Sequence, residues 1–183
     1  MSELFNKLSN IELGENLEKQ KIVNDVSELM VTNGYTVEDV DSTRPWGAFL
    51  RFKNEEADNF VEDFFPDINP VEARLGGPDA ELSPKILIVS PKQRLSWQYH
   101  ERRAERWAFI TDGKYDKSMT DEEQGVVDSQ SSESVQFSPL ERHRLIGRVA
   151  TYTLVAEIWQ HTDSDNLSSE DDIIRLSDDY SRY

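Results

Sequence analysis

The stretch Arg94-Leu-Ser-Trp-Gln-Tyr-His-Glu-Arg-Arg-Ala-Glu-Arg-Trp107 reads as a β-strand, a charged turn and the start of a second strand. Gln98 and His100 stand two residues apart, so on a strand both project to one face, and Glu105 returns as the next strand begins. A fourth ligand-type side chain, His143, follows the proline-marked turn Ser138-Pro139-Leu140-Glu141-Arg142 and opens an apolar run that reads as another strand. Gln98, His100, Glu105 and His143 make a mixed nitrogen and oxygen donor set. Such a set suits a borderline or hard divalent ion with open coordination positions, not a closed thiolate zinc site.

Working outward, residues 85–90 (Lys-Ile-Leu-Ile-Val-Ser) form a strand buried on both faces, and Pro91-Lys92-Gln93 turns it into the motif strand. Residues 107–111 are a third strand, closed by the tight-turn pair Asp112-Gly113. Residues 115–134 read as a polar exposed connection around a short strand at Val126-Val127, and strands follow at 134–138 and 150–159. Upstream, residues 35–41 and 48–52 are strands separated by a corner, Thr43-Arg44-Pro45-Trp46-Gly47, with Trp46 packed inward. Successive short strands and turns after Arg44 predict an all-β sandwich or barrel, a pattern that a jelly roll satisfies.

Helical periodicity is confined to three places. In residues 12–33 the apolar Leu13, Leu17, Val23, Val26, Leu29 and Met30 fall mainly three and four apart, and Asn33-Gly34 is a stop signal. Two readings are open: a helix covering the barrel's apolar face, or a docking or dimer helix. Residues 54–65 carry Ala57, Phe60, Val61, Phe64 and Phe65 at helical spacing, and the loop 72–83 with Gly76-Gly77-Pro78 follows as a lid, an oligomer contact or a wrap around the barrel. Near the end, Ser168 or Ser169 would cap a short helix with Glu170, Asp171 and Asp172 in its first turn, leaving Arg175 to reach the barrel mouth. The chain divides into a helical extension over 1–43 and a barrel with its tail over 44–183.

With 183 residues of which 37% are hydrophobic and 31% charged, the chain can bury one core beneath a highly charged surface. Its formal net charge of −16 repels nucleic-acid backbones and anionic lipid, so neither is an expected partner, and any anionic substrate must be captured by locally clustered cations. No cysteine is present, which excludes disulfides and thiolate sites, and no run approaches the length of a membrane span; together these predict a soluble cytoplasmic protein.

The landmarks resemble those of the cupins, in particular the type II mannose-6-phosphate isomerase group. In that group a Leu-Ser-x-Gln-x-His strand is followed by Arg, Glu and Trp, places held here by Leu95, Ser96, Gln98, His100, Arg103, Glu105 and Trp107. Arg44-Pro45-Trp46-Gly47, His143-Arg144-Leu145 and Glu170-Asp171-Asp172-Ile173-x-Arg175 continue it in order. Three departures stand out: Arg106 where the group usually has His, a shorter turn before His143, and Ser181 for glycine in Asp178-Asp179-Tyr180-Ser181-Arg182. The resemblance implies a cupin double-stranded β-helix and a homodimer. It implies one divalent ion (zinc, manganese, iron, nickel or cobalt) and aldose–ketose isomerisation of a hexose or heptose phosphate. It also implies phosphate contacts at Arg44, Arg103, Arg175 and Arg182.

Isomerisation needs a base that moves a proton between neighbouring carbons. Glu157, among apolar residues of the 150–159 strand, is the first candidate if it points inward, where burial would raise its pKa; the outward alternative is equally open. Lys85 is the second candidate, at a strand start that would leave it exposed. Two other readings compete: a cupin that binds a sugar phosphate without turnover, suggested by Arg106 and the shortened turn, and an Fe(II) cupin dioxygenase.

Overall fold

The computed structural model describes residues 1–75 and 80–181. Two helices, α1 (Glu3–Ser9) and α2 (Lys19–Thr32), precede strands β1 (Val37–Asp41) and β2 (Gly47–Phe52); a short 3-10 turn then leads into α3 (Ala57–Phe64) and α4 (Pro70–Ala73). Nine strands complete the chain: β3 (Lys85–Val89), β4 (Trp97–Tyr99), β5 (Arg103–Phe109), β6 (Gly113–Ser118), β7 (Val127–Ser129), β8 (Ser134–Phe137), β9 (Arg142–Ile146), β10 (Thr153–His161) and β11 (Ile174–Ser177). They pair antiparallel in a six-stranded sheet, β1-β2-β3-β10-β5-β8, and a five-stranded sheet, β11-β4-β9-β6-β7. The expected mostly-β architecture of two facing sheets is what forms.

The six-stranded sheet is covered on both faces, and strand parity sorts its residues. Ile86, Ile88, Leu154, Ala156 and Ile158 point to a cluster shared with Leu4, Phe5, Ile22, Val26, Met30, Phe60 and Phe64 of the helices. Their alternates Leu87, Val89, Trp107, Phe109 and Val155 point between the sheets, where they meet Leu145 of the facing sheet. Each fully buried aliphatic or aromatic side chain contributes about 1.5–3 kcal/mol relative to exposure. The N-terminal periodicity is thus explained by burial on the barrel's own outer face. Among the described residues, no helix is long and apolar enough to cross a membrane.

Four expectations are corrected. Residues 12–18 are not helical: Gly14 bridges Thr151, the Leu13 carbonyl accepts Tyr152 N at 2.9 Å, and Glu15 N donates to the Ala150 carbonyl at 3.0 Å, so sheet-like pairing wins over periodicity. The unforeseen α1 is capped by Ser2, whose hydroxyl accepts Phe5 N at 3.0 Å. β6 overlaps the supposed connection, its alternation masked because a polar residue, Asp116, is buried on the face opposite Tyr115 and accepts Gln124 N and Gly125 N. No helix forms at Glu170–Asp172; the tail makes a turn there and then adds β11 beside β4. Within the loop 72–83, Asn69 and Glu72 form a capping box for α4, while Gly76, Gly77, Pro78 and Asp79 lie outside the described residues.

The corner before β2 orients the cavity wall. A Cβ on Gly47 would lie 1.9 Å from the Ile88 carbonyl oxygen, so only glycine allows β2 to approach β3 there. Lys19 of α2 ties down the same corner, donating to the Arg44 and Gly47 carbonyls at 3.0 and 3.1 Å. Gly47→Ala is expected to cost about 3 kcal/mol or more in urea-unfolding stability, the scale of a buried backbone clash; a loss under about 1 kcal/mol would show that β2 can shift away at little cost.

Candidate metal centre

The two sheets meet at the ligand set. Gln98 on β4 is the register partner of His143 on β9, His100 follows the end of β4, and Glu105 projects from β5 of the opposite sheet. One ligand-capable atom each from His100, Glu105 and His143 falls within 4.8 Å of the others, and all three residues are buried. His100 Nδ1 abuts the Asp172 carbonyl, and His143 Nδ1 lies 2.9 Å from the Glu141 carbonyl. Carbonyls only accept, so each Nδ1 carries the proton and each Nε2 offers a lone pair. Those lone pairs face the Glu105 carboxylate, His100 Nε2 at 3.0 Å from Oε1 and His143 Nε2 at 3.3 Å from Oε2. Among the described residues, the buried His143 Nε2 has no hydrogen-bond partner. Acceptors turned on one another in a dry site call for a cation, and the donor set fits one. Gln98 stands beside the cluster with its Oε1 accepting the Ser96 hydroxyl at 2.5 Å.

Electrostatics keep the carboxylate charged. Burial acts to raise the Glu105 pKa, but the charge of His100 when it is protonated and that of Arg103 outweigh it and hold the group well below the usual carboxylate range. For His100, burial dominates over the attraction of Glu105 and lowers its pKa, which favours the neutral imidazole that a metal requires. Arg103 reaches Glu105 Oε1 through Nε and Nη2, both at 3.0 Å, and its Nη1 donates to Ser168 Oγ and the Ser169 carbonyl. Its guanidinium carbon lies 3.9 Å from the Trp159 ring centroid. Arg103 is therefore engaged inside the site. Asp172, read from sequence as a first-turn acid, instead accepts Glu101 N, Arg102 N and the Ser168 hydroxyl at 2.9, 3.1 and 2.6 Å while its carbonyl orients His100. The acid-rich sequence signalled a cap, but the capped turn belongs to another segment.

Beside Glu105 lies a cavity of about 230 Å³ whose wall includes Arg44, Lys85, Gln98, Glu157 and Arg175. Glu157 points inward: Arg51, Lys85, Glu157 and Trp107 are successive register partners across β2, β3, β10 and β5, so they share a face. Trp107 Nε1 donates to Glu157 Oε2 at 2.9 Å, and Lys85 Nζ lies 3.8 Å from Oε1. Burial and the nearby Glu105 charge push the Glu157 pKa up to about 7, against the pull of Lys85 and Arg103. Lys85, expected exposed, is buried, its ammonium 3.7 Å from the Trp159 ring centroid and 3.3 Å from Glu170.

Arg44 is half-buried at the mouth and pairs with Asp41 at 2.7 Å. Arg175 is the register partner of Gln98, and Arg182 lies outside the described residues. Arg106 and Arg144 make ion pairs with Asp67 and Glu123 at 2.6 and 2.8 Å. His161, apart from all motifs, is a packing histidine whose Nδ1 accepts Ser168 N at 3.1 Å. Periodicity and spacing gave no sign of Asp172 as a support for His100, or of Arg51 beside Lys85.

A family model described as Mannose-6-phosphate isomerase C-terminal matches residues 79–178. No curated protein matches the chain. The capsular polysaccharide assembling protein CapF from Staphylococcus aureus is similar in structure at 12% identity, over 87% of this chain and 40% of that one, with a TM-score of 0.51. A formate complex of Lactobacillus farciminis oxalate decarboxylase is 12% identical over 79% of this chain and 34% of that one, TM-score 0.48. A Cupin 2 conserved barrel domain protein from Salinispora arenicola is 14% identical over 45% of this chain and 63% of that one, TM-score 0.38. The chain thus spans well under half the length of the two longer relatives, and identities this low bear on the fold alone.

The geometry predicts that the purified chain takes up one divalent ion per molecule, read by elemental analysis after dialysis. His143→Ala should abolish retention. Asp172→Ala, which frees the segment that orients His100, should weaken affinity roughly 10- to 100-fold, as loss of a supporting contact does.

Proposed function

The chain belongs to the mannose-6-phosphate isomerase C-terminal family, and on that premise we propose that it is a metal-dependent aldose–ketose isomerase acting on a phosphorylated sugar. One observation carries the reading. A buried carboxyl held near pKa 7, Glu157, opens onto the same cavity as the Glu105 edge of the ligand cluster. A divalent ion held by His100, Glu105 and His143, with Gln98 as fourth donor, would supply Lewis-acid polarisation of a substrate oxygen.

In this reading Glu157 removes the proton from the carbon beside the carbonyl and returns it to the neighbouring carbon. A pKa near the working pH serves both directions of that transfer. The Trp107 indole N–H fixes one carboxylate oxygen and leaves the other toward Lys85, whose ammonium favours the ionised base. Trp46, Phe49 and Leu87 line the cavity and limit water. Arg44 and Arg175 stand on its wall for the phosphate, with Arg182 added by its family position, while Arg103 braces Glu105. The family resemblance extends the proposal to a cytoplasmic homodimer; a monomeric mass by light scattering would count against the dimer.

A second reading, binding of a sugar phosphate without turnover, draws on Arg103, whose Nη2 lies 3.4 Å from His100 Nε2 and brings a cation of the chain's own to the cluster. Proton NMR of hexose and heptose phosphates in deuterated water separates the two. The isomerase exchanges the proton beside the carbonyl and stops when a chelator is added; intact signals with metal bound favour the binding protein. Glu157→Gln is expected to lower the exchange rate roughly 100- to 10,000-fold with the metal retained. Because the base must be ionised, wild-type kcat/KM should rise as pH increases through about 7 and level off above it. A flat profile from pH 5.5 to 8.5 would remove Glu157 from that role.

A further inference from the structure

Arg51 has no part in the chemistry above, yet the fold sets it beside Lys85 and near Glu170, two residues of the cavity wall. It is the register partner of Lys85, so the two cationic side chains stand side by side on the face that looks between the sheets. Neither is tightly neutralised. Arg51 Nε is buried and, among the described residues, has no hydrogen-bond partner; its nearest acids are Glu38 at 3.4 Å and Glu170 at 4.0 Å. Lys85 Nζ meets Glu170 at 3.3 Å and Glu157 at 3.8 Å. All four separations exceed the ~2.7–2.9 Å of a charge-assisted hydrogen bond.

A single oxygen, Oε1 of Glu170, faces both cations. The Glu170 side chain is 62% exposed and sits on a turn of the tail, and an ion pair so open to water contributes little. A phosphate group carries more charge and three acceptor oxygens, which suits two convergent donors better than one carboxylate oxygen does. In a chain of net charge −16 the surrounding field opposes anions, so a paired cation site is what local capture requires. Arg51 lies two strands from Glu157, about 10 Å at the usual strand spacing, a separation comparable with an extended monosaccharide phosphate.

We infer that Arg51 and Lys85 form an anion subsite that takes the phosphate of the ligand in place of the wall arginines Arg44 and Arg175, and that Glu170 is its internal stand-in, displaced on binding. The assignment of that phosphate to a sugar rests on the proposed isomerase reading; the subsite itself does not. Phosphorus NMR titration of the full chain with inorganic phosphate, at low salt and with chelator present, tests it. Glu170→Gln should bind phosphate at least about threefold more tightly than wild type, the scale of removing one exposed ion pair. Arg51→Gln should weaken binding by at least as much, and the double variant should bind no better than Arg51→Gln alone. Equal affinity in wild type and Glu170→Gln, or phosphate binding unchanged by Arg51→Gln, overturns the subsite. Both variants alter partly exposed side chains, so folding is retained. No turnover is read, so absent proton exchange with this titration intact removes the isomerase reading alone.

Discussion

A carboxylate as buried as Glu105 is destabilising unless its charge is met on every side, and most of the site is arranged around that requirement. Arg103 meets one oxygen, and the two histidines present Nε2 atoms to both. Each neighbour needs its own support: Arg103 lies over Trp159 and donates to the tail, His100 leans on the Asp172 carbonyl, and His143 leans on that of Glu141. The guanidinium satisfies Oε1 but leaves Oε2 opposite an imidazole lone pair. The asymmetry leaves a place at Oε2 and His143 Nε2 that a cation would fill.

The six-stranded sheet can carry charge on its inner face because its outer face is secured by apolar packing. Along β10, Leu154, Ala156 and Ile158 are held under the helices, which obliges Val155, Glu157 and Trp159 to face the other way. A slip of one residue would exchange the two sets and drive Glu157 into the apolar cluster under the helices, so the helical cover fixes the register on which the chemistry depends. The N-terminal helices act on the site through that register and through Lys19, which holds the corner at residues 44–47 on the cavity wall.

Ligand spacing was legible because a two-residue step on a strand has one meaning: His100, Glu105 and His143 come to one place, with Gln98 the register partner of His143. The strands themselves were legible from apolar runs and turn pairs, but their pairing order was not: β3, β4 and β5 pair with other strands of the chain and not with one another. Where polar residues of a strand are buried, pattern reading loses its contrast: β6 was hidden by Asp116, and Glu157 could not be oriented until its partners Lys85 and Trp107 were known. Tail acids were misassigned because a carboxylate that caps backbone N–H groups leaves the same trace in sequence whether those groups belong to its own helix or, as with Asp172, to a turn some 70 residues away. Residues 12–18 show the complementary failure, with periodicity present but backbone pairing to residues 150–152 prevailing.

The tail joins these threads. Ile173, Ile174 and Leu176 are only half-buried, so the segment is held to the barrel largely by polar contacts, above all those of Asp172 with Glu101, Arg102 and Ser168. Segments with few buried apolar contacts open at lower free energy than the core. Yet the same tail supplies the carbonyl that sets the His100 tautomer and the acid that meets Lys85. Metal-ligand geometry and access to the cavity mouth are therefore linked to the docking of one marginally held segment, and any cation that binds only the ordered cluster stabilises the docked tail by mass action.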